Sequence, residues 1–460
     1  MTARRAAGLS ALAALLVCLP ALRGGFVIDD AYLVVNNSSI RSLGEVPGFF
    51  VKPWGGGVGP AGHVTVNAAY YRPLTSSLYA VEYAVFGPWA AGWHLVSILM
   101  DAAAAALTAL LAMRTLGKAG AALLAGLIFA VHPVHTEAIA AICYQTTLLA
   151  GLLGLAALWA LGHMFDGGEN DRRGVALAAC SSGLAGLAKE EAVVVPLLAA
   201  AWVLLTPLVD RRRLLLRSVG PMLLASVLVL AARSAIVTGS GLTYFAGASR
   251  GVVAMTMLRV VGLYAELLVA PIRLCSFYDW FIITPLAGLS ADVVRGALLA
   301  GGLAAAPWLL RRRAPGAAVG LAFIGLGILP VMHLVPMLNV AAERFLYLPS
   351  VGLALVVGAG FVWARGRMPV PALVVAALLL VLFGVRTLVR WPDWSDDRSL
   401  NLATAAAFPQ TPTPLVNLAE LELAAGDRDG ALRYLEEASR RVPGWPVPGQ
   451  MADKIRAGKR

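Results

Sequence analysis

Two adjacent carboxylates, Asp29 and Asp30, follow the first apolar run of the 460-residue chain and precede a long loop. Carboxylates are costly near hydrocarbon, so a pair held at the mouth of a membrane span is a candidate for chemistry. Such a pair can take a proton from an attacking hydroxyl as a general base. It can also ligate a hard divalent cation. Neighbouring side chains rarely point the same way, so one acid can react while the other orients. The competing reading is two solvated loop acids, and position alone does not separate these.

Other polar groups stand out against an apolar background. In His132-Pro133-Val134-His135-Thr136-Glu137 the histidines are three residues apart and Glu137 is two further on. A helix begun at Pro133 spreads these over about one turn, which makes zinc conceivable. The pattern is not the H-E-x-x-H zinc motif, whose histidines share one helix face, and helix capping with substrate hydrogen bonding is the other reading. Lys189-Glu190-Glu191 reads either as a self-satisfied ion pair or as a phosphate-facing Lys189. Glu343-Arg344 is a structural pair or a bidentate phosphate site through Arg344; Tyr347 follows in the same motif. Arg72, beside Tyr70 and Tyr71, can stack or bind an anion.

The elements that must position these groups are read from composition. The chain is 59% hydrophobic and 14% charged, with mean hydropathy +0.76, where soluble domains carry about 25% charge. This is the membrane class. The net charge of +11 falls in short basic clusters between apolar runs, the pattern of topogenic loops, which argues against nucleic acid as a partner. Cys18, Cys143, Cys180 and Cys275 have no metal-ligand spacing and read as free core residues. Arg4-Arg5 and the apolar stretch after them imitate a signal peptide without a well-placed cleavage site, so a retained anchor helix is expected.

The fold class expected is all-α and polytopic, with about eleven transmembrane helices at roughly 7–23, 91–113, 119–134, 138–162, 173–188, 191–208, 217–238, 289–310, 316–335, 350–365 and 369–388. Placing the basic clusters inside puts the N-terminus in the cytoplasm. Residues 254–271 contain Arg259 and Glu266 and end at Pro271; counting them would put Arg311-Arg312-Arg313 outside, so they read as an interfacial or re-entrant helix. The outer face of the cytoplasmic membrane then receives the 24–90 loop, the His132–Glu137 segment, Lys189–Glu191, about 239–288, and 333–349. The unusual polar residues converge on one face.

Two domains are expected: a membrane domain over 1–390 and an outer-face tail over 391–460. In the tail, Leu415, Leu418, Ala419, Ala431, Leu435, Ala438 and Pro443 occupy the packing positions of about one tetratricopeptide repeat, with Gly426-Asp427 at its turn. Glu422 stands where such a repeat usually has an aromatic residue. One repeat cannot bury a solenoid core alone, so packing on the membrane domain or a partner is expected.

Outside the cytoplasmic membrane a sugar transferase needs a lipid-carried donor. Its site needs a base for the acceptor hydroxyl, positive charge for the leaving phosphate, and support for an oxocarbenium-like centre. Asp29/Asp30 with Lys189 and Arg344 form such a set. The chain resembles the GT-C superfamily of membrane glycosyltransferases, and more closely the transmembrane-and-tetratricopeptide (TMTC-like) O-mannosyltransferases and their bacterial relatives. The resemblance rests on Asp29-Asp30 with Asn36, Tyr71-Arg72-Pro73-Leu74 and Trp93-His94-Leu95. It continues through His132–Ala138, Lys189-Glu190, Glu343–Gly352 and the tail repeat, in that order.

The resemblance implies a polyprenyl-phosphate hexose donor, metal-independent chemistry in some members and a divalent cation in others, and an acceptor hydroxyl on protein or glycolipid. It implies that Asp29 and Asp30 are catalytic, with Asp30→Asn expected to abolish transfer while insertion persists. Arg72, His132, His135, Glu137, Lys189, Glu190, Glu343, Arg344 and Tyr347 are the expected substrate-side residues. Two departures stand out. Tyr144-Gln145-Thr146-Thr147 keeps a glutamine but lacks the arginine relatives carry there, and the tail holds about one repeat where relatives have many. Two other classes compete: a non-catalytic repeat-bearing membrane scaffold, and a lipid or sugar transporter. A transporter would place ionisable groups at mid-span and show repeated halves; here Arg233 and Arg259 are the nearest candidates.

Overall fold

A computed structural model of the chain describes residues 1–54, 70–166, 171–207, 210–237 and 243–458. Parts of the expected features lie outside these residues: 55–69 of the first outer loop, positions 208 and 238 at the ends of two apolar runs, 239–242 of the fourth outer piece, and 459–460 of the tail. Among the described residues every regular element is helical and no strand occurs. The molecule is a multi-pass membrane protein.

Among the described residues eight helices are long and apolar enough to cross a bilayer, and a ninth span results if the bent pair Ala119–Ala130 and Pro133–Ala140 counts as one. The expected eleven are not reached, for a geometric reason. The runs at 173–188, 191–208 and 316–335 fold as Arg172–Ala188, Val195–Leu205 and Pro315–Ile328, of 17, 11 and 14 residues. At 1.5 Å per residue the second falls well short of a ~30 Å hydrocarbon core, and the third reaches 17 residues by continuing through a 3-10 turn to Val331. The first two are separated where the backbone turns extended at Lys189. Conversely, residues 254–269 lie in an unbroken 20-residue helix, Arg250–Val269, that meets the length and hydropathy of a span. Arg259 and Glu266 do not interrupt it.

Helix pairing sets where the site lies. The first helix, Ala3–Cys18, packs against Ala90–Leu116 and Ala119–Ala130, and Gln145–His163 packs against Arg172–Ala188. Without a hydrophobic drive between helices in lipid, such contacts depend on close backbone approach at small residues. Pro315–Ile328 and Tyr347–Arg365 meet at glycines: a Cβ on Gly352 would lie 2.4 Å from the Gly320 carbonyl oxygen, and one on Gly320 would lie 2.6 Å from that of Gly352. Gly352→Ala is therefore expected to destabilise the protein by about 1–3 kcal/mol through overpacking. Gly360→Ala, on the same helix with open space around it, is the control. Thermal unfolding in detergent compares them, and equal midpoints for both variants would contradict this packing.

The tail forms its own small core. Leu415, Leu418, Ala419, Ala431, Leu435 and Ala438 are buried together between helices Thr413–Ala424 and Arg428–Arg441, joined by Ala452 and Ile455. Gly426 takes φ +86° at the turn, a conformation that glycine adopts freely, and Asp427 caps the second helix through the Gly430 amide. Pro443, expected in the same packing set, is exposed. The tail docks on the 270–290 segment: Ser276 and Thr404 hydroxyls are 2.9 Å apart, and Thr411 donates to Asp279.

Candidate active site

The first helix is followed by a 3-10 turn, Leu19–Arg23, and then by the turn 27–30. Here the two aspartates part. Asp30 is fully buried, and its carboxylate accepts hydrogen bonds from the amides of Val27 (3.0 Å), Ile142 (3.1 Å) and Cys143 (2.6 Å). It thereby stitches the first loop to the start of the Ile142–His163 span, whose opening amides are otherwise orphan donors. Burial raises its pKa to about 7, against the lowering effect of the Val27, Cys143 and Ile142 amides.

Asp29 is exposed, and among the described residues its carboxylate takes no hydrogen bond. The protein packed behind it raises its pKa, the Arg344 charge lowers it, and Asp397 raises it. The residue before it, Ile28, takes φ +54°. For a β-branched side chain this left-handed conformation is an outlier, costing about 1–3 kcal/mol. The neighbouring hydrogen bonds from Asp30 N–H to Val27 O (3.0 Å) and from Ile28 N–H to Asp397 Oδ1 (2.8 Å) hold it there.

Three cations lie near one another here, Arg344 and Lys189 buried and Arg72 largely so, each with its own carboxylate. Arg344 sits in the turn Glu343–Leu346; its amide donates to Glu137 Oε2 at 2.7 Å, its guanidinium pairs with Glu137 Oε1, and Tyr144 lies 3.9 Å beneath its plane. Its Nε and Nη2 have no partner among the described residues. Lys189 donates to Thr147 Oγ1 (3.0 Å) and pairs with Glu191 (2.8 Å). Burial lowers its pKa, Glu191 raises it, and the charges of Arg72 and Arg344 lower it further. Arg72 makes a two-toothed pair with Glu190 at 2.9 and 2.8 Å, and stacks on Trp54 (4.7 Å) and Tyr70 (4.5 Å). Burial raises the Glu190 pKa, but the Arg72 charge and hydrogen bonds, the Glu190 backbone hydrogen bond and the Lys189 charge together outweigh it and leave the carboxyl below its ordinary range.

The outer-loop helix Pro73–Phe86 brings Arg72 to this position. Thr75 Oγ1 donates to the Ala188 carbonyl at 2.9 Å. Gln145, retained where the neighbouring arginine is missing, donates to Glu82 (2.9 Å), to the Trp93 carbonyl and to Ser97 (both 3.1 Å). It ties that helix to the bundle.

The remaining expected site residues face inward. His132 accepts from the Val134 amide, and its Nε2 is 2.9 Å from the Leu268 carbonyl. His135 Nε2 is 2.9 Å from Ser350 Oγ and its Nδ1 is 3.6 Å from Asp101, to which the Tyr347 hydroxyl donates at 2.9 Å. Glu343 accepts from the Cys275 amide. All four are closed off by protein: none is more than 2% exposed. Most of their polar atoms meet protein groups, while His135 Nδ1 and Glu343 Oε2 are buried without a hydrogen-bond partner among the described residues, and buried polar clusters of this kind set helix register. Among the described residues no group of three His, Cys, Asp or Glu side chains converges as a metal site requires.

Sequence reasoning did not single out Tyr144, Thr147, Trp54 or Asp397 as parts of this site. Thr147 and Tyr144 lay within a flagged motif, but Asp397 carried no signal, being 369 residues from Ile28.

Because Asp30 holds three amides, Asp30→Asn is expected to act on the fold as well as on the chemistry. An amide in its place turns a donor toward backbone N–H groups, which costs about 1–3 kcal/mol. The sign with pH follows from the raised pKa. Stability contributed by the buried neutral carboxyl is complete below the unfolded carboxylate range and falls as pH rises through about 7. Thermal midpoints against pH should therefore be flatter in Asp30→Asn than in the wild type.

No family model matches the chain. It is similar to human protein O-mannosyl-transferase TMTC4, at 26% identity over 89% of this chain and 63% of that protein. It is also similar to protein O-mannosyl-transferase Tmtc2 of Drosophila melanogaster, at 32% identity over 44% of this chain and 22% of that protein. Human protein O-mannosyl-transferase TMTC1 is 33% identical over 35% of the chain and 19% of its own length. The chain thus resembles the TMTC protein O-mannosyl-transferases while spanning less than two thirds of the length of these relatives.

Proposed function

We propose that this chain is a GT-C-type glycosyltransferase that moves a hexose, mannose in the first instance, from a polyprenyl-phosphate donor to a protein Ser or Thr hydroxyl. The reaction takes place on the outer face of the cytoplasmic membrane, with the N-terminus inside and the tail, with its single TPR-like repeat, outside. The observation that carries the reading is the contrast within the aspartate pair. Asp30 is consumed by three amides, while Asp29 is exposed beside Arg344. A carboxylate without a structural duty, held on a strained turn, suits a general base.

In this reading the acceptor hydroxyl oxygen attacks the anomeric carbon as its proton passes to Asp29. The bond from that carbon to the phosphate oxygen breaks, and the polyprenyl phosphate leaves with the electron pair. Arg344, with Nε and Nη2 still available, faces the leaving phosphate. Lys189 and Arg72 add fixed positive charge whose paired carboxylates keep them in place. Preorganised charge of this kind stabilises the transition state without reorganisation. The names of the similar proteins support the mannosyl donor and the protein acceptor.

The test is transfer by the purified full chain in lipid nanodiscs. It uses a panel of polyprenyl-phosphate hexoses and Ser/Thr-bearing polypeptides, with and without a chelator, and is read by mass spectrometry. Hexose addition with one donor supports the reading. Intact protein that binds and transfers none of them would favour the scaffold.

A further inference from the structure

We propose that Asp397, in the tail, is a positioning residue for Asp29. Its carboxylate holds Ile28 in the left-handed conformation and so aims the next side chain at the site. This rests on the proposed function of Asp29.

The geometry is specific. The Ile28 amide donates to Asp397 Oδ1 at 2.8 Å, and the Gly25 amide donates to the Ser395 carbonyl at 2.9 Å. The tail thus grips the first loop at two points. Its root is fixed by the Trp391 indole, which donates to the Val17 carbonyl at 2.8 Å. Asp397 is the first residue of the helix Asp397–Ala407, yet that helix does not need its carboxylate, because Asp396 caps it through the Ser399 amide at 2.7 Å. The Asp397 side chain is free to serve the loop. On the far side of Ile28, Val27 and Asp30 are already locked to one another. Ile28 is the single link of this turn whose amide is held from outside the membrane bundle. Without the Asp397 acceptor, an isoleucine relaxes toward negative φ, as any β-branched residue prefers. That rotation redirects Asp29.

The charges acting on Asp29 come from two elements, Arg344 from the 343–346 turn and Asp397 from the tail, while Asp29 in turn acts on Cys143 and Tyr144 at the start of the Ile142–His163 span. Only Asp397 belongs to the segment beyond the last membrane helix. The tail is therefore part of the catalytic geometry.

The test uses the full chain in nanodiscs. Asp397→Ala is expected to lower kcat about 100-fold, the order expected for a misplaced catalytic group, with the KM for the lipid donor changed by no more than a few fold. Asp397→Asn, whose Oδ1 still accepts the Ile28 N–H, is expected to keep most of the rate. Adding Ile28→Gly to Asp397→Ala is expected to restore much of kcat, because glycine holds a positive φ without steric cost. A tail residue that merely stabilised the fold would not be rescued in this way. Wild-type kcat in Asp397→Ala, or a loss that Ile28→Gly does not reverse, would overturn the proposal. Amide hydrogen exchange across residues 26–33 reads the clamp without any substrate. Faster exchange in Asp397→Ala supports it and unchanged exchange overturns it, even if the wild-type chain transfers no sugar and the functional reading itself fails.

Discussion

Asp29→Asn is expected to reduce transfer by about 1,000-fold, the middle of the range for loss of a general base, with membrane insertion and thermal midpoint unchanged. The exposed side chain makes no hydrogen bond among the described residues, so its replacement removes chemistry and little else. The pH profile is a second check. A base works only when ionised, and the Asp29 pKa is raised by the protein packed around it, with Arg344 opposing. The rise of kcat/KM with pH is therefore expected above the ordinary carboxylate range. Residual activity in Asp29→Asn is expected to lose that limb. Near-normal turnover in the purified variant would remove Asp29 from the mechanism and leave Asp30 as the only acid of the pair to consider.

The second large effect is expected at Arg344. Its partner Glu137 is completely buried, so Arg344→Ala leaves a carboxylate uncompensated in a low-dielectric interior. Breaking a buried pair from one side costs about 3–5 kcal/mol, measurable as a drop in thermal midpoint and in detergent-extracted yield. The double substitution Arg344→Met with Glu137→Leu separates structure from function. Replacing both partners by apolar groups of similar volume is often close to neutral for stability. Recovery of the midpoint without recovery of transfer is the expected result. Recovery of both would mean that Arg344 only supports the fold.

The inward placement of His132, His135, Glu343 and Tyr347 has a common cause. Each lies where an apolar helix begins or bends, and sequence reads such a boundary as surface because polarity rises there. In the fold these boundaries meet one another. His135, Asp101, Ser350 and Tyr347 join three separate segments in one cluster, and a glycine at 151 makes room for the Tyr347 ring. Such residues carry the chemical types of a site while they hold helices in register.

What the sequence determined by itself is the class and the parts. An apolar composition with charge confined to short clusters requires helices, since only intra-helical hydrogen bonding satisfies the backbone in lipid. The order of the Asp29-Asp30, Arg72, His132–Glu137, Lys189 and Glu343–Gly352 motifs carried the resemblance to the TMTC proteins. Tertiary structure alone set where each helix ends and which of the two aspartates is buried. Hydropathy averages over a window and cannot register where a helix stops within an apolar run, as where 191–208 folds as the 11-residue helix Val195–Leu205. Nor can adjacency reveal that Asp30 faces the amides of Ile142 and Cys143, more than a hundred residues away, while Asp29 faces outward. That division is set by one backbone angle at Ile28 and by a carboxylate in the tail that reaches back to hold it.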